Sequence, residues 1–289
     1  MTPIRRGSIV AAFGRHYEIL LDSGETATGY PRGKKSELAC GDVVTINADG
    51  QIVGHEARHT LLHRSDAYRQ KLIAANATQL VMVVATEPSF NDTLLSRALV
   101  AAECQEMRTL IVLNKADLTD LLPAARATLA PFAALGYPVI ELSAKQDVSA
   151  LAERLEGETS VLVGQSGMGK STLTNAFIPL ASAATREIST ALDSGKHTTT
   201  CTRVYALLNG LSGRLIDSPG LQEFGLAHLT RNDIESAFRE FRPLLGRCKY
   251  RDCLHLHEPE CAIKDAAQRG EIHPRRLEHF HQLIASLPR

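Results

Sequence analysis

The run Gly164-Gln165-Ser166-Gly167-Met168-Gly169-Lys170-Ser171 has the residue types and spacing of a loop that wraps phosphate groups. Its glycines let backbone N–H groups turn toward an anion, Lys170 would reach the β and γ oxygens, and Ser171 would hold Mg²⁺. Contacts to the phosphates are expected along residues 164–172, Thr172 included. A strand-like run at 160–163 precedes the loop and a helical stretch at 173–177 follows it, the setting such a loop requires. A second run, Asn114-Lys115-Ala116-Asp117, has the means to choose a base. A carboxylate accepts both N1–H and the exocyclic N2–H₂ of guanine, a donor pair that adenine lacks. Asp117 would make that contact, with Asn114 and Lys115 bracing the two loops together. Taken alone, Asn-Lys-x-Asp reads equally as a turn that closes a strand. Ser143-Ala144-Lys145, placed after the next strand-like run, tips the reading toward guanine, with the Ala144 N–H facing O6.

Asp217-Ser218-Pro219-Gly220 supplies the remaining piece. Asp217 would hold Mg²⁺ through water and the Gly220 N–H would face the γ-phosphate. The next residue is Leu221, where many nucleotide hydrolases place a glutamine to orient the attacking water. Leucine has no donor or acceptor. The best local substitute is His197 in Gly195-Lys196-His197-Thr198-Thr199-Thr200, acting as a base or as a water-orienting acceptor. His197 reads equally as a solvent-exposed loop residue. Thr199 would bind Mg²⁺ and close over the γ-phosphate, and residues 182–194 are small and polar, as a switch loop should be.

The order of these pieces is informative. In the usual arrangement of guanine-nucleotide domains the phosphate loop comes first and the base-reading runs come last. Here the base-reading runs come first, which implies a circular permutation and places the switch residues close ahead of the C-terminal segment. That segment contains Cys248-x4-Cys253-x-His255-x5-Cys261, three thiolates and an imidazole suited to tetrahedral zinc. His257 competes with His255, because a turn would present either ring. Buried free cysteines are the plainer alternative.

The elements that must position these groups are legible in outline. Residues 1–65 hold short strand-like runs (9–13, 17–21, 42–46) broken by turn residues, which suggests an OB-fold barrel. Such a barrel either binds oligonucleotides or simply docks on its neighbour. Residues 66–225 alternate apolar runs at 80–85, 110–113, 139–142, 161–163 and 215–216 with helical stretches at 94–107 and 121–135. This is the rhythm of a doubly wound α/β domain, and each motif sits at the carboxyl end of a strand, where such sheets bind ligands. Residues 226–289 read as helical, at 232–241, 263–269 and 274–287, with so few apolar positions that a metal staple would help. No apolar run approaches the roughly 18 residues of a membrane span, and residues 1–6 lack the apolar core of a signal peptide, so a cytoplasmic protein is expected. Lysines and arginines number 32 against 32 acids, so bulk charge makes no case for nucleic acid. Local patches such as Arg32/Lys34/Lys35 and Arg247/Lys249/Arg251 would carry any RNA contact, or are ordinary solvated surface.

Taken together, the permuted motifs, the leucine after Asp-x-Pro-Gly, the Gly-Lys-His-Thr-Thr-Thr segment and the Cys-x4-Cys-x-His-x5-Cys pattern resemble the bacterial RsgA (YjeQ) family of ribosome small-subunit-dependent GTPases. Similarity runs further through Leu72-Ile73-Ala74-Ala75-Asn76, Thr185-Arg186-Glu187-Ile188-Ser189 and His257-Glu258-Pro259. The resemblance implies an N-terminal OB-fold that binds RNA, a circularly permuted P-loop GTPase domain and a C-terminal helical zinc-binding domain. It implies binding to the small (30S) subunit and its 16S rRNA late in maturation, with the subunit stimulating hydrolysis of GTP to GDP and phosphate. A monomer with one zinc ion per chain and Mg²⁺ on the nucleotide is expected, with no membrane partner. It also places the catalytic histidine and the switch threonine on His197 and Thr199, and zinc on Cys248, Cys253, His255 and Cys261, while the motifs themselves add Lys170 to catalysis and give Mg²⁺ to Ser171, Thr199 and Asp217. The chain departs from the family at Ala77-Thr78, at Glu260, at Arg276-Leu277 and before Arg58, where a proline is usual. Two other classes remain open to test, a non-catalytic RNA-binding adaptor that uses GTP as a conformational ligand and an ATP-using kinase.

Overall fold

The structure is a computed structural model that describes residues 4–33, 37–65, 70–178, 202–208, 210–217 and 224–287, leaving aside the side chains at 64, 65, 70 and 71. Its N-terminal part follows from short alternating strands. In β2 (Tyr17–Leu21), Tyr17, Ile19 and Leu21 point inward while Glu18 and Leu20 point out, the period of a half-buried strand. β1 (Arg5–Ala12) pairs antiparallel with β2 and with β4 (Val43–Ile46), β2 pairs with β3 (Thr26–Gly29), and β4 pairs with β5 (Ile52–His55). Tyr30 N donates to Gly50 O and Ile52 N donates to Tyr30 O, both at 2.9 Å, so the end of β3 meets β5 and closes the barrel. Ile9, Ile19, Val44, Ile46 and Ile52 fill it. This is the five-stranded connectivity of an OB-fold.

Residue 65 ends β6 (Leu61–Ser65), which pairs with β7 (Gln70–Ala75), so one hairpin bridges the barrel and the central α/β domain. Ala75 N donates to Cys40 O at 2.8 Å on the barrel side, and Leu62 and Ile73 enter the core of the central domain.

The central sheet runs β10 (Val139–Glu141), β9 (Arg108–Asn114), β8 (Gln79–Ala85), β11 (Thr159–Val163), β13 (Arg214–Asp217), β12 (Arg203–Ala206). The first five are parallel and β12 is antiparallel to β13. Every residue of β8 is buried, as expected of a parallel strand covered on both faces. α1 (Asp92–Glu103) and α2 (Leu122–Ala134) cover one face through Leu95, Leu99, Leu129 and Phe132. α3 (Ser149–Leu155) and α4 (Lys170–Phe177) cover the other through Leu151, Leu155, Leu173 and Phe177. The chain runs outward from β8 to β10 and returns beside β8 as β11. The loops after β8 and β11 therefore flank the switch point, where open α/β sheets bind ligands. β12 also pairs with β1, so barrel and sheet form one continuous 11-stranded sheet among the described residues.

The C-terminal part holds α5 (Arg231–Ala237), α6 (Ala262–Gln268) and α7 (Pro274–Ala285). α5 stops earlier than helical patterning over 232–241 predicts. Phe238 turns to an extended backbone, and Phe238 and Phe241 both pack against Phe280, with ring centroids 5.5 and 5.0 Å from it. This aromatic cluster belongs to the same core as Leu95, Leu99 and Phe132. The segment is therefore built onto α1 through a shared core. Charged groups lock the joint. Arg275 donates to both carboxylate oxygens of Asp92 at 2.8 Å. Arg276, 1% exposed, donates to Glu240 Oε1 and to Ser96 Oγ at 2.7 Å and lies over the Phe238 ring. Ser96 Oγ in turn meets His279 Nδ1 at 2.7 Å.

Arg276 is thus a structural residue with no surface left for RNA. Arg276→Ala would strand the buried Glu240 carboxylate, and we expect about 3–5 kcal/mol of stability to be lost in urea denaturation. A loss below about 1 kcal/mol, the scale of an exposed ion pair, would mean that the pair does not fix α7 on α1.

Candidate nucleotide site and metal centre

The phosphate loop joins β11 to α4, and its backbone requires glycine. Gly164 (φ 148°) and Gly169 (φ 91°) lie in the left-handed region, and a Cβ would collide with Val83 O at the first and with Asn114 Nδ2 at the second. Lys170, the first residue of α4, donates to Gly164 O at 2.5 Å and Gln165 O at 2.7 Å. Burial pushes its pKa down while Asp217 pushes it up. At the end of β13, burial raises the Asp217 carboxyl and Lys170 opposes that rise. A half-buried carboxylate beside this loop is suited to a cation. Ser166, Gly167, Ser171 and Thr172 line the exposed side of the loop, while Met168 is buried beneath it.

Asn114, 2% exposed at the end of β9, ties three loops together. Its Nδ2 donates to Met168 O in the phosphate loop and its Oδ1 accepts from Ala144 N, both at 2.9 Å. The second bond occupies the Ala144 N–H, so guanine O6 would share it with Asn114 or displace it. Lys115 (φ 60°) donates to Glu87 O at 2.6 Å and its carbonyl accepts from Thr86 Oγ1 at 3.0 Å, fastening the loop to the end of β8. Asp117 is exposed. Its carboxyl is held below the usual range by a hydrogen bond from Ser143, by its own N–H, and by Lys145 and Lys115 nearby. The structure thus brings Asn114, Lys115, Asp117, Ser143, Ala144 and Lys145 to one side of the phosphate loop. His197, Thr199 and Gly220 lie outside the described residues.

The four residues predicted to hold zinc are also together. One ligand atom from each of Cys248, Cys253, His255 and Cys261 falls within 4.8 Å of the others. Cys248 Sγ is 3.9 Å from Cys261 Sγ and 3.6 Å from His255 Nδ1, which is 3.2 Å from Cys261 Sγ. A tetrahedral zinc with Zn–S near 2.3 Å has edges of about 3.8 Å, so the set is compatible with one zinc ion. Burial raises the Cys253 and Cys261 thiols, and a divalent cation is the partner that would hold them as thiolates. The two histidines differ in placement. His255 (φ 58°) turns inward and is 5% exposed, whereas His257 faces solvent.

A family model described as RsgA GTPase matches residues 55–227. The Small ribosomal subunit biogenesis GTPase RsgA of Burkholderia pseudomallei (strain K96243) is 54% identical over 288 residues, spanning 96% of this chain and 91% of that one. The chain belongs to the RsgA GTPase family. The protein of the same name from Paraburkholderia phytofirmans is 54% identical over 290 residues, 96% of this chain and 92% of its own. Among solved structures, YjeQ from Thermotoga maritima superposes with a TM-score of 0.74 at 28% identity, covering 98% of each chain. YloQ, described as a circularly permuted GTPase, superposes at 0.71 and 26% identity over 98% of this chain and 94% of its own.

Membership of the RsgA family makes the chain a GTPase and its motif order a property of a permuted fold. A GTPase works on a Mg²⁺-bound nucleotide. Two contacts at these sites have no counterpart in the sequence patterns. Gln165 Oε1 accepts from Asn91 N at 2.6 Å, linking the phosphate loop to the residue that caps α1. Asn91 before Asp92-Thr93 is a recognisable N-cap in sequence, but nothing there names its partner. Glu235 Oε1 lies 3.3 Å from His255 Nε2, a pairing within the C-terminal part with no local sequence signal. No helix among the described residues is long and apolar enough to cross a membrane.

Proposed function

We propose that this GTPase binds the small (30S) ribosomal subunit through 16S rRNA late in subunit maturation, and that the subunit accelerates its hydrolysis of GTP to GDP and phosphate. The observation that carries the guanine site is Asn114, which ties the phosphate loop to the Ser143-Ala144-Lys145 loop. The ribosomal partner is supported by the names of relatives 54% identical over nearly the whole chain. In this reading residues 1–65 form the RNA-binding barrel, 66–225 the permuted GTPase domain and 226–289 the zinc-binding domain of a cytoplasmic monomer.

Phosphate oxygens would take over the Lys170 donors from Gly164 O and Gln165 O, and residues 164–172 would wrap the triphosphate. Ser171, Thr199 and Asp217 would hold Mg²⁺, and Gly220 would face the γ-phosphate. Asp117 would read N1–H and N2–H₂, with Ser143, Ala144 and Lys145 beside the base. Zinc would sit on Cys248, Cys253, His255 and Cys261. His197 would position the attacking water, since Leu221 offers no polar atom.

Multiple-turnover hydrolysis titrated with mature and immature small subunits tests the whole reading. Acceleration by the subunit is expected, and none would remove the ribosomal partner. His197→Ala should lower the stimulated turnover about 100-fold. Its GTP affinity should stay within about threefold of wild type, because a water-positioning group acts mainly in the transition state. An equal loss of affinity would make His197 a structural residue.

A further inference from the structure

We propose that Glu235 is the positioning residue of the metal centre, its carboxylate holding the Nε2–H of His255 so that Nδ1 faces the ion. The inference rests on the reading that the Cys₃His cluster holds zinc. An imidazole can give a metal only one nitrogen lone pair, and the other nitrogen then carries a proton. In a buried ring that N–H needs an acceptor, and metal-binding histidines regularly find one in a carboxylate.

The geometry separates the two nitrogens. His255 Nδ1 lies 3.6 Å from Cys248 Sγ and 3.2 Å from Cys261 Sγ, inside the thiol group. Nε2 points away and lies 3.3 Å from Glu235 Oε1. Glu235 is itself held, because Arg231, one helical turn earlier on α5, donates from Nε to the same oxygen at 2.7 Å. The same guanidinium donates to Cys253 O at 2.5 Å. A single turn of α5 therefore grips the ring of one ligand and the backbone of another. The start of that turn is fixed by a capping box between Thr230 and Asp233. From the far side, His281 Nε2 meets His255 O at 2.9 Å and steadies the left-handed backbone there. Glu235 and Arg231 cancel in charge, so the acceptor is supplied without adding net charge to a site already rich in thiolates.

The zinc-loaded wild-type protein gives one test without any substitution. Long-range ¹⁵N–¹H correlation of the histidine rings should show His255 with metal on Nδ1 and hydrogen on Nε2, and metal on Nε2 would overturn the proposal. Zinc affinity, measured by competition with a chromophoric chelator, gives the second. Glu235→Ala should bind zinc about 10–100-fold more weakly, and Glu235→Gln, which keeps an acceptor in place, should stay within about threefold of wild type. Cobalt-loaded Glu235→Ala should retain the thiolate-to-cobalt absorption of a Cys₃His site, showing a loosened ligand rather than a lost one. Wild-type affinity in Glu235→Ala, or a Gln variant as weak as the Ala variant, overturns the role assigned to Glu235 while the zinc site stands. Should the variants fail to fold, the ring assignment in the wild type decides. A wild-type protein that takes up no zinc overturns the metal reading and the proposal with it.

Discussion

Replacing Asp117 by asparagine is expected to weaken GTP binding about a thousandfold and to bring up binding of xanthosine triphosphate, because one hydrogen bond to a carboxylate, worth about 1.5–3 kcal/mol, gives way to a clash of donors while the other loses its charge. The carboxylate is prepared for this contact. Ser143, the Asp117 N–H, Lys145 and Lys115 all favour its ionised form, and Asn114 fixes the loop that carries it. An ionised carboxylate presents acceptors only, matching the N1–H and N2–H₂ donors of guanine. An amide in the same place sets its own NH₂ against one of those donors. Xanthine has a carbonyl where guanine has the amino group, so the amide then fits. Competition of GTP, xanthosine triphosphate and ATP against a fluorescent guanine nucleotide would measure the change. Unchanged GTP affinity would remove Asp117 as the base reader and reopen the adenine-nucleotide alternative.

The nucleotide site is legible in sequence because each of its parts is a short contiguous run whose backbone demands show in residue type. Gly164 and Gly169 are examples, since positive φ and close neighbours exclude any side chain there. β8 and β11 are legible for a different reason, as uninterrupted apolar runs suited to a sheet covered on both faces. β12 is not. Arg203, Val204 and Tyr205 are half-buried and Ala206 is exposed, so the strand has no apolar signature. It exists as the antiparallel link between β13 and the barrel strand β1. The end of α5 is hidden because Phe238 and Phe241 keep a helical spacing in sequence while the backbone leaves the helix to seat both rings against Phe280. Which of His255 and His257 turns toward the cysteines depends on one left-handed residue, which spacing does not encode.

The joint between the C-terminal helices and α1 is equally hidden, and it alters what the permutation means. Chain order suggests that the Asp217-Ser218-Pro219-Gly220 run communicates with the metal segment along the short stretch between them. The folded chain adds a second connection. Gln165 in the phosphate loop accepts from Asn91 N, Asn91 caps α1, and the first turn of α1 binds α7 through Asp92–Arg275 and Thr93–Gln282. The phosphate loop and α7 therefore meet the same helical turn from two sides.

Cys261→Ala is expected to abolish stoichiometric zinc binding and to unfasten the C-terminal helices while leaving the nucleotide end of the sheet folded. Cys261 immediately precedes α6, is 1% exposed, and lies against both Cys248 Sγ and His255 Nδ1. Its loss opens the tetrahedron and leaves two thiols and an imidazole around a corner that alanine cannot fill. Structural zinc contributes about 10–16 kcal/mol in isolated finger peptides. The cost here should be well below that, because Phe238, Phe241 and Phe280 and the buried Arg276–Glu240 pair hold these helices to α1 without metal. A drop of roughly 10–20 °C in the first thermal transition corresponds to about 3–5 kcal/mol for a unit of this size. Hydrogen exchange would locate it. Amides of α5, α6 and α7 should lose protection, with partial loss in α1, which shares their core. Those of β8 and β11 should keep theirs, since the core on the opposite face of the sheet, Leu151, Leu155, Leu173 and Phe177, includes no C-terminal residue. GTP affinity should stay within about threefold, because Met168 of the phosphate loop and the apolar residues of α4 pack in that opposite core. Equal loss of protection in β8 and β11 would show one cooperative unit from barrel to C-terminus, and unchanged protection in α5–α7 would show that zinc does not fasten them.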